Sequence, residues 1–198
     1  MGYLLTMFLR RCSVASLVAA LILPALVAVA QRQPPHEPGV PYVATSDEAV
    51  QAMLKLADVK KYDIVYDLGC GDGRIVIAAA KVAGAHGVGI DIDPRRIQEA
   101  NDNAKKAGVE RLVRFEQKDL FEADFHDATV VTLFLREDVN LRLRPKLLKD
   151  LKPGARIVSN TFDMYDWKPD KQLTLAGPSA ELFSRKLYLW IVSRPQAK

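Results

Sequence analysis

Short apolar runs alternate with amphipathic stretches along most of this chain. Ile64–Leu68 is a short apolar run that is typical of a buried strand, and four further strand candidates are His86–Ile90, Val113–Gln117, Thr129–Phe134 and Arg156–Ser159. Stretches with the spacing of a helix lie between several of them, such as Ile75–Ala83, which is nearly all apolar. This strand, helix, strand rhythm predicts an α/β domain whose mostly parallel sheet is covered by helices on both faces.

Polar residues mark the ends of several predicted elements. Thr45-Ser46-Asp47-Glu48 resembles a capping box, in which Thr45 and Glu48 accept backbone N–H groups at the start of a helix. Asp93-Pro94 opens a further helix. Two more strand-like runs lie near the end of the chain, around Leu173–Leu175 and Leu187–Val192. In such a sheet, ligands bind beyond the carboxyl ends of the strands, near the point where strand order reverses.

The amino terminus has the layout of an export signal. Cys12–Ala30 are 19 residues without a charge that follow Arg10 and Arg11, and the segment ends in small residues that a signal peptidase accepts. We expect residues 1–30 to be a signal peptide and residues 31–41, with four prolines, to be a linker. An uncleaved membrane anchor fits the same 19 residues. With either interpretation of this segment, we expect the domain to be exported to the periplasm or anchored at the inner membrane. If the start codon is assigned too far upstream, we expect a cytoplasmic protein instead.

Composition narrows the classes of function. A chain of 198 residues with 26% charged residues fits one ordinary domain. Arg10 and Arg11 are the only charged residues among the first 30, so the other 26 basic residues stand against all 24 acidic ones. This balance does not indicate a strongly basic nucleic-acid surface. Cys12 and Cys70 are the only cysteines and the three histidines are scattered, so we expect no metal site.

A glycine-rich turn directly follows the first predicted strand. It reads Asp67-Leu68-Gly69-Cys70-Gly71-Asp72-Gly73-Arg74, and its glycines would let a ligand approach the main chain closely. A dinucleotide site has the spacing G-x-G-x-x-G, whereas this turn has G-x-G-x-G and two acids. Like charges about 4 Å apart repel by about 4 kcal/mol at an effective dielectric of about 20, which disfavours phosphate. A ligand with an ammonium and a sulfonium group fits better, and S-adenosylmethionine is such a ligand.

Two further acids follow the next two predicted strands. Asp91 ends the second strand, 24 residues after Asp67. A carboxylate at this position can accept hydrogen bonds from both hydroxyl groups of a ribose. Asp119 follows the third strand and is placed to accept an adenine amino group. Three acids at three successive strand ends indicate a binding site for one adenosyl ligand. Structural alternatives stay open, with Asp72 as a helix cap, Asp119 as a turn residue and Cys70 as a small buried filler.

These motifs resemble the class I S-adenosylmethionine-dependent methyltransferases over roughly residues 41–192. Pro41-Tyr42-Val43 with Thr45, the stretch from Asp67 to Ala80, and Trp167-Lys168-Pro169 carry the narrower resemblance. They are similar to a bacterial branch related to the mitochondrial protein-lysine methyltransferases of the ATP synthase c subunit and the adenine nucleotide translocase.

The resemblance implies a single Rossmann-like methyltransferase domain over residues 42–198. Its sheet would have seven mostly parallel strands, with the last strand, the Leu187–Val192 run, antiparallel. An arm that contains Tyr42 and Thr45 would close over the cofactor. These implications concern fold and cofactor, and they extend what the periodicity alone predicts.

The resemblance and the strand-end acids together define the expected site. S-adenosyl-L-methionine is the expected cofactor, and no metal is expected. The residues expected to bind the cofactor are Tyr42, Thr45, Asp67, Gly69, Cys70, Gly71, Asp91, Ile92, Asp119 and Leu120. The residues expected to line the acceptor pocket are Tyr42, Phe134 and Asn160.

The expected reaction is N-methylation of a protein lysine or of a small acceptor. Methyl transfer from a sulfonium mainly requires alignment, so no catalytic triad is expected. The fourth strand ends Thr132-Leu133-Phe134-Leu135, without the Asp/Asn-Pro-Pro-aromatic signature of many base methyltransferases, and no nucleic-acid partner is expected. The basic run from Arg142 to Lys152 is typical of a solvated helix face. Membrane contact is expected only with an uncleaved amino terminus. The alternatives are a non-catalytic adenosyl-binding module or sensor, and a dinucleotide-dependent oxidoreductase.

Overall fold

The structure, a computed structural model, describes residues 43–175 and 186–193. Within them the helices are α1 (Asp47–Leu56), α2 (Arg74–Ala83), α3 (Pro94–Ala107) and α4 (Glu137–Asp150). The strands are β1 (Ile64–Leu68), β2 (His86–Asp91), β3 (Val113–Gln117), β4 (Val130–Leu133), β5 (Arg156–Asn160), β6 (Lys171–Thr174) and β7 (Lys186–Ile191). No helix in these two ranges is long and apolar enough to cross a bilayer. The expected signal or anchor segment, the linker and Tyr42 lie outside the described residues.

The seven described strands form one sheet in the order β3-β2-β1-β4-β5-β7-β6. β1 pairs in parallel with β2 and with β4, and the pairs β2–β3 and β4–β5 are also parallel. β7 runs antiparallel to both β5 and β6. The prediction of a seven-stranded, mostly parallel sheet with an antiparallel last strand is therefore confirmed. Strand order reverses between β1 and β4, and open α/β sheets bind their ligands at such a point.

Helices cover both faces of the sheet, as predicted. α1, α2 and α3 pack on one face, where they bury Met53, Val76 and Ala104 in a single apolar cluster. α4 packs on the other face and buries Leu143 and Leu147 in a second cluster. Central parallel strands covered in this way lose contact with water on both sides, which explains why β1 and β4 are nearly continuous apolar runs, whereas the edge strand β3 contains several polar residues.

The start of α1 differs from the prediction. Ser46 is the N-cap, and its hydroxyl accepts the backbone N–H of Ala49 at 3.3 Å. Thr45, predicted as the cap, is buried instead. The physical reason is a long-range contact, because the Arg74 guanidinium donates to the Thr45 carbonyl at 2.7 Å. This contact holds the segment before α1 against the start of α2.

Candidate functional site

Three acidic residues lie at the carboxyl edge of the sheet, around the point where strand order reverses. Asp67 is the fourth residue of β1, Asp91 is the last residue of β2, and Asp119 lies two residues beyond β3. β1, β2 and β3 are parallel neighbours, so their ends lie side by side. The structure thus brings to one edge the three acids that the sequence assigned to an adenosyl ligand.

The glycine turn after β1 is anchored to the end of β2 by backbone hydrogen bonds. The N–H groups of Gly69 and Cys70 both donate to the Ile90 carbonyl, at 2.8 and 2.9 Å. Gly69 and Gly73 have φ values of +82° and +78°, which side chains with a Cβ rarely adopt. A Cβ at Gly73 would also lie 2.6 Å from the Phe115 ring. Glycine is therefore required for the turn to approach β2 and β3 this closely.

The Asp91 carboxylate holds the same turn from the end of β2. One of its oxygens accepts the N–H of Gly71 at 2.9 Å, and the other accepts the N–H of Asp93 at 3.0 Å. An ionised carboxylate has about four acceptor positions, so each oxygen keeps capacity for a further donor. Asp91 is only partly buried. This remaining capacity fits the two neighbouring hydroxyl groups of a ribose.

The Asp67 carboxyl is the most buried acid of this edge, with only 3% of the residue exposed. The Thr132 hydroxyl on the neighbouring β4 donates to it at 2.7 Å. Burial raises the pKa of Asp67 to about 7; the Thr132 hydrogen bond opposes this shift, and the charges of Asp91 and Asp72 add to it. Asp67 therefore gains or loses its proton near neutral pH, and a cation beside it would favour the ionised form.

Asp72 is paired with Arg74, a contact that the sequence analysis missed. The guanidinium donates to the two carboxylate oxygens of Asp72 at 2.9 and 2.5 Å. The N-cap of α2 is Gly73 and not Asp72, although one Asp72 oxygen accepts the N–H of Arg74, the first residue of α2, at 3.3 Å; the predicted capping contact is therefore present, one residue before the cap position. The expectation that Asp67 and Asp72 both offer charge to a ligand also needs correction, because Arg74 already compensates Asp72. Of the two acids of the glycine turn, Asp67 is the one that remains for a ligand.

The residues expected at the adenine end surround the ends of β2 and β3. Asp119 accepts the backbone N–H of Phe121 at 2.9 Å, which is the turn role that the sequence left open. Leu120 next to it is partly buried. Ile92, which follows β2, is 47% exposed. The structure therefore places an acid and two apolar side chains at this end, and the turn role of Asp119 occupies one of its two oxygens.

The side chain of Cys70, in the middle of the glycine turn, packs against β2. The residue is buried, and a Cβ at Gly89 of β2 would lie 2.8 Å from its sulfur. Burial raises the pKa of the Cys70 thiol, and the charges of Asp67 and Asp91 raise it further. A small buried thiol with a raised pKa fits the filler role that the sequence left open, and its sulfhydryl donates to the Gly71 carbonyl at 3.8 Å within the turn.

The residues expected to line the acceptor pocket lie at the ends of β4 and β5. Phe134 is the first residue after β4, and its ring stacks on that of Phe162 with centroids 6.4 Å apart. Asn160 is the last residue of β5 and is buried; its side-chain oxygen accepts the Thr161 hydroxyl at 3.2 Å. Tyr42 lies outside the described residues. Phe134 and Asn160 thus share one edge of the sheet with the glycine turn.

Three side chains shape this site without having been assigned to it from the sequence. Thr132 lies 65 residues after Asp67 and faces it only because β1 and β4 pair in that register. Arg74 stands two residues after Asp72 at the start of α2, and an acid and a base at that spacing are a local signal that could have revealed the pair. Phe162 has no comparable signal, because its role depends on the approach of two separate loops.

Comparison with known proteins identifies relatives along most of the chain. A family model described as the ANTKMT methyltransferase domain matches residues 67–171. The chain is 44% identical over 158 residues to a protein-lysine N-methyltransferase of Saccharolobus islandicus, across 79% of this chain and 96% of the relative. It is 36% identical to the adenine nucleotide translocase lysine N-methyltransferase of Mus musculus, across 70% of this chain and 60% of the relative.

A solved structure adds a bacterial relative. The crystal structure of an RNA methyltransferase from Salinibacter ruber, in complex with S-adenosyl-L-homocysteine, is 49% identical to this chain and superimposes with a TM-score of 0.73. The match covers 79% of this chain and 97% of that one. The chain therefore spans nearly all of the archaeal and the Salinibacter proteins, but less than two thirds of the mouse protein.

The raised pKa of Asp67 predicts how stability depends on pH. The pKa of Asp67 is about 7 in the folded chain and about 3.9 in an unfolded one. Between these values the folded state holds a proton that the unfolded state has lost, so this contribution to stability falls as pH rises from about 4 to about 7. Asp67→Asn removes the titration and keeps an acceptor for Thr132. We expect the ligand-free variant to match the wild type near pH 4 and to exceed its free energy of unfolding by up to about 4 kcal/mol at pH 8, measured by urea denaturation.

Asp93→Asn is the matched control for this measurement. Hydrogen bonds from Arg95 lower the pKa of the Asp93 carboxyl to about 2, so its replacement should not stabilise the protein at any pH. An Asp67→Asn variant that is less stable than the wild type at pH 8 would contradict the account of Asp67.

Proposed function

Since this chain belongs to the S-adenosylmethionine-dependent methyltransferases that contain the ANTKMT methyltransferase domain, we propose that it methylates the side-chain amine of a lysine in an acceptor protein. The observation that carries the proposal is the 44% identity to an archaeal protein-lysine N-methyltransferase over 96% of that protein's length. The acceptor protein is not specified by this likeness, because the names of the relatives indicate different acceptors.

S-adenosylmethionine is the cofactor, and the described side chains fit its charged and polar parts. We assign Asp91 to the ribose, because both of its oxygens keep acceptor capacity. We assign Asp67 to the ammonium group, because a buried carboxyl that ionises near pH 7 gains most from a neighbouring cation. The main chain from Gly69 to Gly71, with Cys70 between them, would contact the methionine part of the cofactor.

The adenine would bind at the ends of β2 and β3. Ile92 and Leu120 supply apolar surface there, and Asp119 has one oxygen engaged in its own turn and a second that can accept from the adenine amino group. We also assign Tyr42 and Thr45 to the cofactor. Thr45 supports this assignment, because Arg74 ties its carbonyl to the start of α2 at 2.7 Å.

The chemistry requires a neutral amine in line with the methyl group. When bound, S-adenosylmethionine supplies a methyl group on a positively charged sulfur. The protein has to orient the amine and exclude water, and alignment alone lowers such barriers by about 7 to 11 kcal/mol. A lysine in water has a pKa of about 10.4, and burial against apolar side chains lowers it. Phe134 and Asn160 are the predicted pocket residues at the edge where this has to occur.

An RNA acceptor is the second candidate, because the Salinibacter protein is named an RNA methyltransferase. Two observations disfavour it here. β4 is followed by Phe134-Leu135, without the Pro-Pro-aromatic signature. Two cations of α4 are also engaged within the protein. Arg144 pairs with Asp166, and the Arg142 guanidinium lies 4.4 Å from the ring centroid of Phe121.

A labelling experiment tests the proposed reaction. We expect the purified full chain, supplied with tritium-labelled S-adenosylmethionine and a cell lysate, to place label in methyl-lysine, identified by amino-acid analysis after hydrolysis. Parallel lysates treated with RNase or with protease distinguish the two acceptor classes. Label in RNA with none in methyl-lysine would overturn the lysine proposal in favour of the second candidate. Cofactor binding without any transfer would instead indicate a non-catalytic adenosyl-binding module.

Asp67→Asn tests the assigned cofactor contacts. Hydrogen bonds to charged groups contribute about 1.5 to 3 kcal/mol, so we expect the variant to bind S-adenosylmethionine about tenfold more weakly or worse, measured by calorimetry. In the wild type, affinity should rise with pH through about 7, because the ligand's ammonium favours ionised Asp67. Asp93→Asn, at the same edge, should bind like the wild type. An equal loss of affinity for S-adenosylmethionine in both variants would contradict the assignment of Asp67 to the ammonium group.

We also propose that residues 1–30 direct the methyltransferase domain, residues 42–198, out of the cytoplasm. The uncharged segment Cys12–Ala30 after two arginines supports either a cleaved signal or an inner-membrane anchor. Fractionation of bacteria that express the full chain, with amino-terminal sequencing, tests this proposal. We expect a periplasmic chain that begins at Gln31, or an intact chain in the membrane fraction. An intact chain in the soluble cytoplasmic fraction would contradict both forms.

A further inference from the structure

Phe134 and Phe162 form an aromatic pair at the carboxyl edge of the sheet. Their rings are stacked, with centroids 6.4 Å apart and planes 29° from parallel. Phe134 follows β4, Phe162 lies two residues beyond β5, and both are only partly buried. β4 and β5 lie on the opposite side of β1 from β2 and β3. The pair therefore lies on the other side of the glycine turn from Asp91 and Asp119.

The loop after β4 packs directly on the glycine turn. Leu135 comes so close that a Cβ on Gly69 would lie 2.9 Å from its Cδ2. Phe134, the neighbour of Leu135 in the chain, therefore lies next to the turn assigned to the cofactor. A methyl acceptor has to align with the bond that breaks, so it must enter beside the cofactor. Asp67, Asp91 and Asp119, the three acids assigned to the cofactor, lie on β1, at the end of β2 and after β3. The ends of β4 and β5 are therefore the part of this edge that remains for the acceptor.

We infer that Phe134 and Phe162 form one wall of the acceptor-lysine site, and that Asn140 is a positioning residue that orients Phe162; the inference rests on the proposed lysine acceptor. Aromatic faces suit this acceptor because they reduce the polarity around the amine, which favours its neutral form, and because they attract the resulting cation. During transfer the nitrogen forms a bond to the methyl carbon and the carbon–sulfur bond breaks with its electron pair on sulfur. The neutral amine becomes a methylammonium ion as the positive charge passes from sulfur to nitrogen.

Asn140, on α4, is fully buried, and its amide nitrogen is directed at the end of β5. It lies 3.3 Å from the Ser159 hydroxyl oxygen, 3.3 Å from the Phe162 carbonyl oxygen and 3.5 Å from the Asp163 carbonyl oxygen. The Ser159 hydroxyl also donates to the Phe162 carbonyl, at 2.6 Å. Two side chains thus hold the main chain of Phe162, directly after Thr161, whose φ is +70°.

Two costly features are concentrated at this turn. The side-chain oxygen of Asn140 is buried and has no hydrogen-bond partner among the described residues, which disfavours the folded state. Thr161 has a left-handed backbone conformation that is uncommon for residues other than glycine. An apolar side chain at position 140 would avoid the first cost but could not hold the Phe162 carbonyl. The hydrogen bonds from Asn140 and Ser159 therefore hold the Phe162 ring in position against Phe134.

The aromatic wall is tested by steady-state kinetics of the full chain. The substrate is the acceptor protein that the labelling experiment identifies. Phe162→Leu keeps an apolar side chain but removes the aromatic face. We expect it to raise the KM for the acceptor about tenfold, while the Kd for S-adenosylhomocysteine changes less than about twofold. Phe162→Tyr keeps the aromatic face and should raise the KM for the acceptor less than Phe162→Leu does. Tyr62→Leu is the matched control, because Tyr62 is 80% exposed and precedes β1 at the opposite edge of the sheet.

A double-variant cycle tests the positioning role. Asn140→Ala should raise the KM for the acceptor, and adding it to Phe162→Leu should have no further effect, because Asn140 acts through Phe162. Ser159→Ala, which removes the other hydrogen bond to the Phe162 carbonyl, provides the same test if Asn140→Ala does not fold. Effects that multiply in the double variant would overturn the positioning role.

The outcomes separate this inference from the proposed function. An unchanged KM in Phe162→Leu, with an active wild type, overturns the aromatic wall. An equal rise in KM for Phe162→Tyr overturns the requirement for an aromatic face. A wild-type chain that makes no methyl-lysine contradicts the proposed function itself, and this result is known before any variant is compared.

Discussion

The attachment of the glycine turn to the end of β2 is the constraint on which the site depends. Two N–H groups of the turn share the Ile90 carbonyl, and a third donates to Asp91. These bonds form only if the main chain comes closer to β2 and β3 than a Cβ would allow at Gly73. Once the turn is held there, Leu135 can pack on Gly69, while the pairing of β1 with β4 places Asp67 against Thr132. One backbone arrangement therefore positions both the part of the edge that we assign to the cofactor and the part that we assign to the acceptor.

The acids of this edge have different electrostatic roles because their surroundings differ. Arg74 compensates Asp72, and backbone N–H groups already occupy part of Asp91. Asp67 has only Thr132 as a hydrogen-bond donor among the described residues, so burial dominates and raises its pKa to about 7. Such a carboxyl destabilises the ligand-free protein at neutral pH and gains most from a bound cation. With Asp67 assigned to the cofactor, stability and cofactor affinity are opposed at this one residue.

The part of the edge that we assign to the acceptor has a different composition. It consists of aromatic rings, a strained turn and buried amides contributed by α4 and the loops after β4 and β5. Relatives with related sequences are named for different acceptors, including protein lysines and RNA. This is consistent with a common scaffold whose loops set specificity. In this chain the apolar and aromatic character of those loops suits an amine that has to lose its charge before it reacts.

Local patterns in the sequence by themselves determined the α/β class, most strands, the glycine turn and the strand-end acids, because glycine conformation and hydrophobic periodicity act over a few residues. β6 is entirely exposed, so no hydrophobic pattern marks its start at Lys171. The contacts of Asp67 with Thr132 and of Asn140 with Ser159 join distant segments through strand register and helix packing. Only the tertiary structure decided which acid is buried and which is paired, because desolvation and charge interactions depend on distances that sequence separation does not encode.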